Sequence, residues 1–408
     1  MQLQARIAGV GMTRFAKHED SGLKGLGVEA VRAALADAGL EADALQAAFV
    51  ANAAAGLVTG QECIRGQVVL RSMGLGKLPV VNVENACASA ATALQQASAL
   101  VTAGFYDVVL ALGVEKLSHP DKQRSFAAFR GAVDVEALER ILEGLRQSAA
   151  RSDAPQAGTG AGQKRSMFMD LYAAVARAHM EHYGTTERQF AAVAAKNSRH
   201  GSLNPRAQFR SVLTVDEVLA APMIAEPLTR PMCSPIGDGA AAVVLVSERK
   251  ARSLDARVRV RASVLHSGWD HGVEEPGTSE LCAREAFEEA GLGPQDLDVI
   301  ECHDATAPAE LLAYESLGLC PRGDGGKLVD SGETGLGGRI PVNPSGGLLR
   351  KGHPVGATGL AQIVELCEQL EDRSGARQVE GARVGLAHNG GGHIGTDAAA
   401  MCVTILSV

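Results

Sequence analysis

The sequence predicts an α/β protein made of two similar halves. Continuous apolar runs, typical of strands that are covered on both faces, alternate with helical patterns along most of the 408 residues. One helical segment occurs twice, because residues 30–40 align without gaps on residues 282–292 at an offset of 252 positions. The two copies share arginine, alanine, glycine and leucine at matching positions, which helix propensity alone does not explain. We therefore infer an internal duplication whose period is too long for a solenoid.

The elements of the first half follow in order along the chain. Residues 6–11 are predicted to form the first strand, and residues 27–39 an amphipathic helix that a glycine ends. Residues 47–51 are the next strand candidate. A buried strand is expected at residues 78–83, and after a short break an Ala-rich helix that begins at Cys87. Strand, helix and strand in this order indicate an α/β sheet.

The chain changes character after a further apolar run at residues 107–114. Residues 119–210 show helical patterns and no clear strand, which predicts an inserted loop domain with a flexible excursion at residues 154–163. The second part of this insertion is basic. Such a pattern could bind the phosphates of a nucleotide-bearing substrate, but it more often indicates a helical face exposed to solvent. The basic residues are Arg188, Lys196, Arg199, His200, Arg206 and Arg210.

A strand at residues 241–246 then closes the first half. The expected domains are an N-terminal half formed by residues 1–118 and 211–250, the inserted loop domain at residues 119–210, and a C-terminal half at residues 251–408.

The composition excludes several classes of protein. Hydrophobic residues make up 46% of the chain and charged residues 21%, which fits a globular enzyme, and the net charge of −8 argues against nucleic acid as a partner. No apolar run approaches the ~18 residues that a membrane span needs, and no signal-peptide core is present, so a cytoplasmic protein without a membrane partner is expected. The eight cysteines include no C-x-x-C pair, so we expect reduced thiols, no metal site and no cofactor.

Cys87 is the first candidate for chemistry. At a helix N-terminus the peptide dipoles favour a thiolate over a thiol, and backbone N–H groups without an intrahelical partner could bind an oxyanion. The alternative is a small buried hydrophobe, since free cysteines are often buried and inert.

Three histidines lie on glycine-rich turns of the second half. A strand at residues 297–302 ends at His303, and Ala51 is the corresponding position in the first half of the duplication. His353 lies at the end of a long loop, just before a helix, and His388 follows a further strand. Each histidine alone is more often a hydrogen-bonded structural residue. Together with Cys87 they form a set suited to acyl transfer through a thioester.

These motifs resemble the thiolase superfamily, and within it the sterol-carrier-protein-type and lipid-transfer-protein-like members. The resemblance covers nearly the whole chain except residues 121–163, and implies a five-layer α-β-α-β-α fold, a homodimer or dimer of dimers, and acyl-CoA and CoA as substrates. The motifs that carry it are residues 81–89, 238–240, 303–306, 343–347, 352–354 and 388–392.

The resemblance also implies roles for single residues. Cys87 matches the nucleophile that accepts the acyl group, and His353 matches the base that deprotonates it. His303 would complete the hole for the thioester oxygen. A second oxyanion hole would be formed by the backbone N–H groups of Cys87 and Gly390, and the neighbouring Gly352 and Gly391 would contact substrate.

The pattern departs from the family at the second catalytic cysteine. Most thiolases carry it where this chain has His388, and sterol-carrier types carry it two positions after the histidine that matches His303, where this chain has Ala305. We expect His388, or a water that it holds, to supply the proton instead. Cys302 is not a substitute, because its side chain should point to the opposite face of the strand from His303.

Three functions compete at this point. The leading hypothesis is an acyl-CoA C-acyltransferase that cleaves a 3-oxoacyl-CoA, with a bulky branched, aryl (benzoylsuccinyl-CoA-like) or steroid acyl group. A retro-aldol carbon–carbon lyase is the alternative, followed by a non-catalytic lipid-binding protein. By analogy with bacterial and archaeal relatives we also expect a small zinc-ribbon and OB-fold partner subunit.

Overall fold

The computed structural model describes residues 3–150, 165–272 and 275–408. Its strands are β1 (Arg6–Met12), β2 (Ala47–Ala51), β3 (Val80–Val83), β4 (Val108–Glu115), β5 (Met223–Ala225), β6 (Leu228–Thr229), β7 (Gly239–Val246), β8 (Arg259–Ser267), β9 (Val299–Glu301), β10 (Val384–Gly391) and β11 (Ala400–Ser407).

The α-helices range from a single turn to about five turns. They are α1 (Leu23–Ala38), α2 (Ala55–Thr59), α3 (Arg65–Arg71), α4 (Ser89–Thr102), α5 (Lys122–Arg130), α6 (Leu138–Ala150), α7 (Met167–Tyr183), α8 (Glu187–Ser202), α9 (Val215–Leu219), α10 (Glu248–Leu254), α11 (Thr278–Ala290), α12 (Ala307–Ser316), α13 (Gly325–Asp330), α14 (Gly347–Arg350) and α15 (Thr358–Leu370).

Nine strands form one mixed sheet in the order β3-β2-β4-β7-β1-β8-β11-β10-β9, and β5 pairs separately with β6. In the first half β2 is parallel to β3 and β4, while β4, β7 and β1 are successively antiparallel. In the second half β9 is parallel to β10, while β10, β11 and β8 are successively antiparallel. The two halves therefore share one topology, and they meet where Arg6 of β1 pairs with Arg259 of β8.

The predicted duplication is confirmed element by element. Helices α1 and α11 both end at a left-handed glycine, Gly39 and Gly291, which stand 252 positions apart. Strands β2 and β9 begin at the same offset, and an isolated parallel bridge between Ile300 and Val342 takes the place that β3 has beside β2. The α/β fold of two repeated halves follows from this correspondence.

Three apolar clusters show how the layers stack. One packs α1 and α3 on the first half of the sheet, and another packs α8, α11 and α12 on the second half. The third lies between the two half-sheets and is formed by α4 and α15 together with residues from strands of both halves. Two outer helix layers, two sheet layers and this central helix pair make the expected five layers.

Most strand predictions are confirmed within two residues, with two exceptions. The strand expected to end before His388 continues to Gly391, so His388 lies inside β10, and β3 is a partly exposed edge strand instead of a buried one. Two helix starts also differ. Helix α1 begins four residues earlier than expected, at Leu23. Cys87 does not open an α-helix: it lies in a 3-10 turn, Ala86–Ala88, and α4 begins at Ser89. The turn is set by Ala86, whose φ of 47° is left-handed. Cys87 still precedes the free end of a long helix.

The region at residues 119–210 contains α5 to α8 and, among the residues that the structure describes, no strand. The predicted excursion at residues 154–163 lies outside the described residues. The domain boundaries remain a prediction.

The six basic residues of this region are divided between exposed and buried positions. Arg188, Arg199 and Arg210 are exposed, as a solvated helical face requires. Lys196 is instead buried in an ion pair with Glu310 and donates to the carbonyl of Val342 at 2.8 Å. His200 is also buried, with Nδ1 3.0 Å from the carbonyl oxygen of Asn343, so these two side chains tie α8 into the C-terminal half. No helix among the described residues is long and apolar enough to cross a membrane.

Candidate active site

Cys87 lies on the wall of a cavity of about 990 Å³. Its turn is held by Ser89, whose Oγ accepts from the backbone N–H of Asn85 at 2.9 Å and donates to the carbonyl of Ala86 at 2.6 Å. The end of β10 packs directly against this turn: a Cβ on Gly391 would stand 2.2 Å from the Asn85 carbonyl oxygen. Only glycine allows this approach, which brings the end of β10 to the Cys87 turn.

His353 is presented as a base. Gly352, at a φ of 115°, turns the chain just before this histidine. Nδ1 of His353 lies 2.7 Å from Oγ1 of Thr358, at the start of α15. Thr358 Oγ1 in turn donates to the carbonyl of Pro354 at 3.1 Å, so the histidine must supply the proton between them. His353 therefore carries its proton on Nδ1 and keeps a lone pair on Nε2. Burial lowers the pKa of His353 to about 3, so the ring is neutral near pH 7.

His303 has the opposite tautomer and acts as a donor. Its Nδ1 accepts from Nδ2 of Asn389 at 3.0 Å, so the ring proton is on Nε2. Burial, and then the nearby His353 and His388, hold the pKa of His303 well below its ordinary value. The rings of His303 and His353 meet edge to face with centroids 5.2 Å apart.

The Sγ of Cys87 and one ring nitrogen from each of His303 and His353 lie within 4.8 Å of one another. They provide a thiol, an N–H donor and a nitrogen lone pair. Sulfur and imidazole are also ligands for zinc, but a metal needs a lone pair from each imidazole, and the proton on Nε2 of His303 occupies one of them. The arrangement is matched to proton transfer and nucleophilic attack.

The thiol of Cys87 is not activated before substrate binds. Burial raises its pKa to about 12, and the carboxylates of Glu115 and Glu84 add to the increase, while the backbone N–H groups of Gly392 and of Cys87 itself oppose it. Burial therefore works against the thiolate that the helix end was expected to favour. The sulfur needs the lone pair of His353 to lose its proton.

The raised pKa of the Cys87 thiol predicts how the rate of its alkylation depends on pH. In the free enzyme the rate of Cys87 alkylation by iodoacetamide is expected to rise about tenfold per pH unit from pH 7 to 9, because thiolate forms only as the pH approaches the raised pKa. Peptide mass spectrometry measures the rate, with the exposed Cys63 as an internal standard. A rate that is already constant below pH 7 would indicate a stable thiolate–imidazolium pair and contradict the prediction.

His388 lies behind His303 and has a different partner. Its Nε2 is 2.8 Å from Oγ of Ser279, and its Nδ1 accepts from the backbone N–H of His303 at 3.4 Å. Gln362 holds the backbone by donating from Nε2 to the His388 carbonyl at 3.1 Å. Burial lowers the pKa of His388 to about 4. Sequence reasoning missed Ser279, because it belongs to α11 and stands 109 residues before its partner.

The structure gathers nearly all of the predicted site residues. Gly352 is the exception: it shapes the turn before His353 but does not line the cavity. Cys302 is buried away from the cavity, where its sulfur accepts from Nδ2 of Asn343 at 3.3 Å, as expected. Thr358 and Gly392 were not singled out, although both lie inside glycine-rich segments that were. The predicted residues that line the cavity are Cys87, His303, His353, His388, Gly390 and Gly391.

Much of the cavity wall is apolar and aromatic. Helices α5 and α7 of the inserted region supply most of these side chains, and the rings of Phe129 and Phe168 meet edge to face at 6.5 Å. Composition alone did not reveal this concentration, since aromatic residues are only 3% of the chain. The apolar wall includes Phe126, Phe129, Phe168, Met169, Tyr172 and Leu312.

A buried ion pair joins the two histidine-bearing segments. Lys351, two residues before His353, lies 2.9 Å from the carboxylate of Glu301, two residues before His303, and both side chains are almost fully buried. The same carboxylate accepts from the backbone N–H and the hydroxyl of Ser345 at 3.1 and 2.7 Å. The pair thus fixes the distance between the two imidazoles.

Removing this lysine should destabilise the fold. Lys351→Met is expected to lower the free energy of unfolding by about 3–5 kcal/mol, because it leaves the Glu301 carboxylate buried without a counter-charge. Urea denaturation measures the change, and Lys327→Met, at an exposed pair with Asp324, is the matched control and should leave the free energy of unfolding nearly unchanged. A Lys351→Met protein as stable as the control would show that the pair has no structural role.

Comparison with known proteins agrees with this architecture. Residues 5–249 match the model of the thiolase N-terminal domain, and residues 277–406 match that of the thiolase C-terminal domain-like family. Acetyl-CoA acetyltransferase of Methanothermobacter thermautotrophicus is 40% identical over 96% of this chain and 97% of its own. Benzoylsuccinyl-CoA thiolase subunit BbsB of Thauera aromatica is 35% identical over 96% of both chains, and human sterol carrier protein 2 is 38% identical over 94% of this chain and 69% of its own.

Among solved structures, the Ltp2-ChsH2(DUF35) aldolase superposes with a TM-score of 0.78 at 25% identity, covering 98% of this chain and 97% of that one. Fold, site and relatives together define an acyltransferase of the thiolase class. The chain belongs to the thiolase superfamily, and to its sterol-carrier-protein-2-type branch.

Proposed function

We propose that this acyltransferase cleaves a 3-oxoacyl-CoA with CoA through an acyl-Cys87 intermediate, and that the acyl group is bulky and apolar. One observation carries the proposal: Sγ of Cys87 and one ring nitrogen from each of His303 and His353 lie within 4.8 Å of one another on a substrate-sized cavity. The hydrogen bonds of the two Nδ1 atoms leave a lone pair on Nε2 of His353 and a proton on Nε2 of His303. Coenzyme A serves as a substrate in this scheme.

The proposed first half-reaction uses each of these atoms. Nε2 of His353 takes the thiol proton as Sγ attacks C3 of the substrate, and the backbone N–H groups of Cys87 and Gly390 bind the oxyanion at C3. The new N–H of His353 and that of His303 then hold the thioester oxygen while the C2–C3 bond breaks. The acyl group remains on Cys87 and the C2 fragment leaves as a CoA enolate. In the second half-reaction the thiol of CoA removes the acyl group from sulfur.

The aromatic wall supports a bulky acyl group. Phe126, Phe129 and Phe168 face the same cavity as the sulfur, and side chains of this kind bind aryl or branched alkyl groups through apolar contact. One relative is named for benzoylsuccinyl-CoA, which agrees with an aryl substrate. A higher kcat/KM for an aryl 3-oxoacyl-CoA than for acetoacetyl-CoA would support the assignment, and its reduction by Phe168→Ala would locate the contact. Equal values for both substrates would contradict it.

The acyl-enzyme is the direct test of mechanism. Mixing the protein with a 3-oxoacyl-CoA in the absence of free CoA should add the mass of one acyl group to the peptide that contains Cys87, because the second half-reaction then has no nucleophile. Adding CoA should remove that mass.

A retro-aldol lyase is the second candidate, since the solved structure named Ltp2-ChsH2(DUF35) aldolase shares the fold over nearly the whole chain. Cleavage of a 3-hydroxyacyl-CoA by that route needs no covalent adduct. Turnover of a 3-hydroxyacyl-CoA without any mass increase on Cys87 would therefore favour the lyase.

The sheet edge supports a homodimer. Strand β3 forms one end of the sheet, and its outer side chains are partly exposed, with Val81 at 46%; Leu57 and Ile64 nearby are 48% and 58% exposed. A free strand edge with exposed apolar residues favours pairing with a second copy. Val81→Glu is expected to convert a dimer to a monomer in sedimentation velocity, whereas Val212→Glu, at an exposed site elsewhere, should not. Dimers of unchanged stability in Val81→Glu would exclude this edge as the interface.

We also propose that a small zinc-ribbon and OB-fold subunit assembles with this chain. The names of two relatives support a hetero-oligomer, since BbsB is called a subunit and Ltp2 is paired with ChsH2(DUF35). Full activity of the chain purified alone would show that such a partner is not required.

A further inference from the structure

The proposed reaction leaves one proton transfer without a residue to perform it. When the C2–C3 bond breaks, C2 of the departing enolate must be protonated. The family resemblance implies a cysteine for this step at the position of His388 or of Ala305, and this chain has a cysteine at neither. The hydrogen bonds around His388 show which group can act.

The proton positions follow from the contacts of His388. Nδ1 faces the backbone N–H of His303, which can only donate, so the single proton of the neutral ring is on Nε2. That N–H donates to Oγ of Ser279 across 2.8 Å. The hydroxyl proton of Ser279 must then point elsewhere. In the part of the chain that the structure describes, Ser279 Oγ has no other hydrogen-bond partner, and the residue lines the cavity.

A second feature favours proton loss from this hydroxyl. Ser279 lies in the first turn of α11, a helix of 13 residues, where the helix dipole stabilises negative charge. His388 adds a direct N–H donor to the same oxygen. The position that corresponds to Ser279 in the first half of the duplication is Gly27, so the hydroxyl belongs only to the half that carries His303 and His388.

We propose that Ser279, polarised by His388, is the catalytic group that carries the proton at the α-carbon of the substrate. The inference rests on the proposed thiolase reaction and names the residue that replaces the missing cysteine. As the C2–C3 electron pair becomes an enolate, the Ser279 O–H bond breaks and its proton forms the new C2–H bond. The Ser279 oxygen is left negative and accepts the Nε2–H of His388.

The thiol of the incoming CoA then restores the serine. Its proton passes to Ser279 Oγ, and the resulting thiolate attacks the acyl group on Cys87. The CoA proton replaces the one that Ser279 gave to C2. Cys87 leaves the acyl group as a thiolate and takes its proton back from Nε2 of His353, so no oxidant or further reactant is required. His388 is a positioning residue in this scheme: its pKa of about 4 leaves little imidazolium at neutral pH to act as the acid itself.

Two readouts test the proposal with the full chain. Turnover of acetoacetyl-CoA with CoA needs Ser279 both for the α-carbon proton and for the proton of the CoA thiol, whereas acylation of Cys87 by 4-nitrophenyl acetate, whose leaving group needs no proton, followed by peptide mass spectrometry, does not. Ser279→Ala is expected to lower turnover by about 10²–10⁴-fold while acylation stays within about threefold of the wild type. Ser253→Ala, which removes an exposed hydroxyl on α10, is the control and should change neither readout.

A cysteine at the same position provides the rescue. Ser279→Cys is expected to recover at least about tenfold of the turnover lost in Ser279→Ala, since a thiol of pKa ~8.5 can carry the same proton. His388→Ala should reduce turnover in the serine enzyme and have little effect in the Ser279→Cys enzyme, because a thiolate needs less support from the Nε2–H.

The outcomes separate the two proposals. Turnover of Ser279→Ala within threefold of wild type would overturn the assignment of Ser279 alone. Equal loss of turnover and of Cys87 acylation, without rescue by cysteine, would assign Ser279 a structural role only. A wild-type protein that forms no acyl-Cys87 would overturn the proposed function and the Ser279 step with it.

Discussion

Cys87→Ser should lower thiolytic turnover by at least about 10³-fold. The thiol already has a pKa raised to about 12, and a hydroxyl at the same position is a far weaker acid. His353, with its pKa lowered to about 3, is too weak a base to deprotonate an alcohol before attack. The substitution replaces one sulfur atom by oxygen and is expected to preserve the 3-10 turn that holds residue 87.

A steady-state assay of 3-oxoacyl-CoA cleavage measures this effect, with Cys63→Ser as the control because Cys63 is exposed and outside the cavity. Intact mass should show no acyl adduct on the Cys87→Ser protein. Retention of most carbon–carbon cleavage by Cys87→Ser would reject acyl transfer and leave the lyase as the better explanation.

His353→Ala is expected to lower turnover by about 10²–10⁴-fold at pH 7, and the loss should shrink as the pH rises. Without the base, attack depends on thiolate that forms spontaneously, and for a thiol of pKa about 12 the thiolate fraction grows about a thousandfold between pH 7 and 10. In the wild type, His353 stays unprotonated well above its pKa of about 3, so lowering the pH from 8 to 5 should not inactivate the enzyme through this residue.

The pH–rate profiles of the two proteins measure both parts of this prediction. Thr358→Val is the graded companion, since it removes the acceptor that fixes the His353 tautomer while it leaves the imidazole in place. Its loss should be about tenfold or more, yet smaller than that of His353→Ala. A wild-type profile that falls below pH 6.5, with a normal imidazole titration, would contradict the assignment of a desolvated His353.

Much of the fold was predictable because its signals are local or repeated. Apolar runs placed most of the predicted strands within two residues, and the copied segment at residues 282–292 revealed the duplicated halves. Strand β10 runs on through His388 to Gly391 because its pairing with β11, and not its composition, continues the strand into the glycines. Helix starts were less accurate, since Cys87 lies in a 3-10 turn that no sequence signal distinguishes from a first α-helical turn. Lys196 and His200 on the basic face of α8 are buried because Glu310 and Asn343 cover them, which only the folded chain shows.

The residues of the candidate site also fall into two groups, those that a local motif identifies and those that only a long-range contact identifies. Cys87, His303, His353 and His388 were identifiable because each stands in its own short motif. Ser279 was not, since its meaning depends on a contact across 109 residues, and Lys351 and Glu301 pair across 50 residues for the same reason.

The order of residues alone establishes which groups are available for chemistry: one nucleophilic sulfur, three imidazoles in glycine-rich segments, and two copies of one α/β unit to carry them. Folding establishes how those groups behave, namely which nitrogen holds each proton, that the free thiol is protonated, and which hydroxyl faces the cavity. The reason is that proton positions and acidities are set by desolvation and by hydrogen-bond partners, which come from distant parts of the chain and exist only after it has folded.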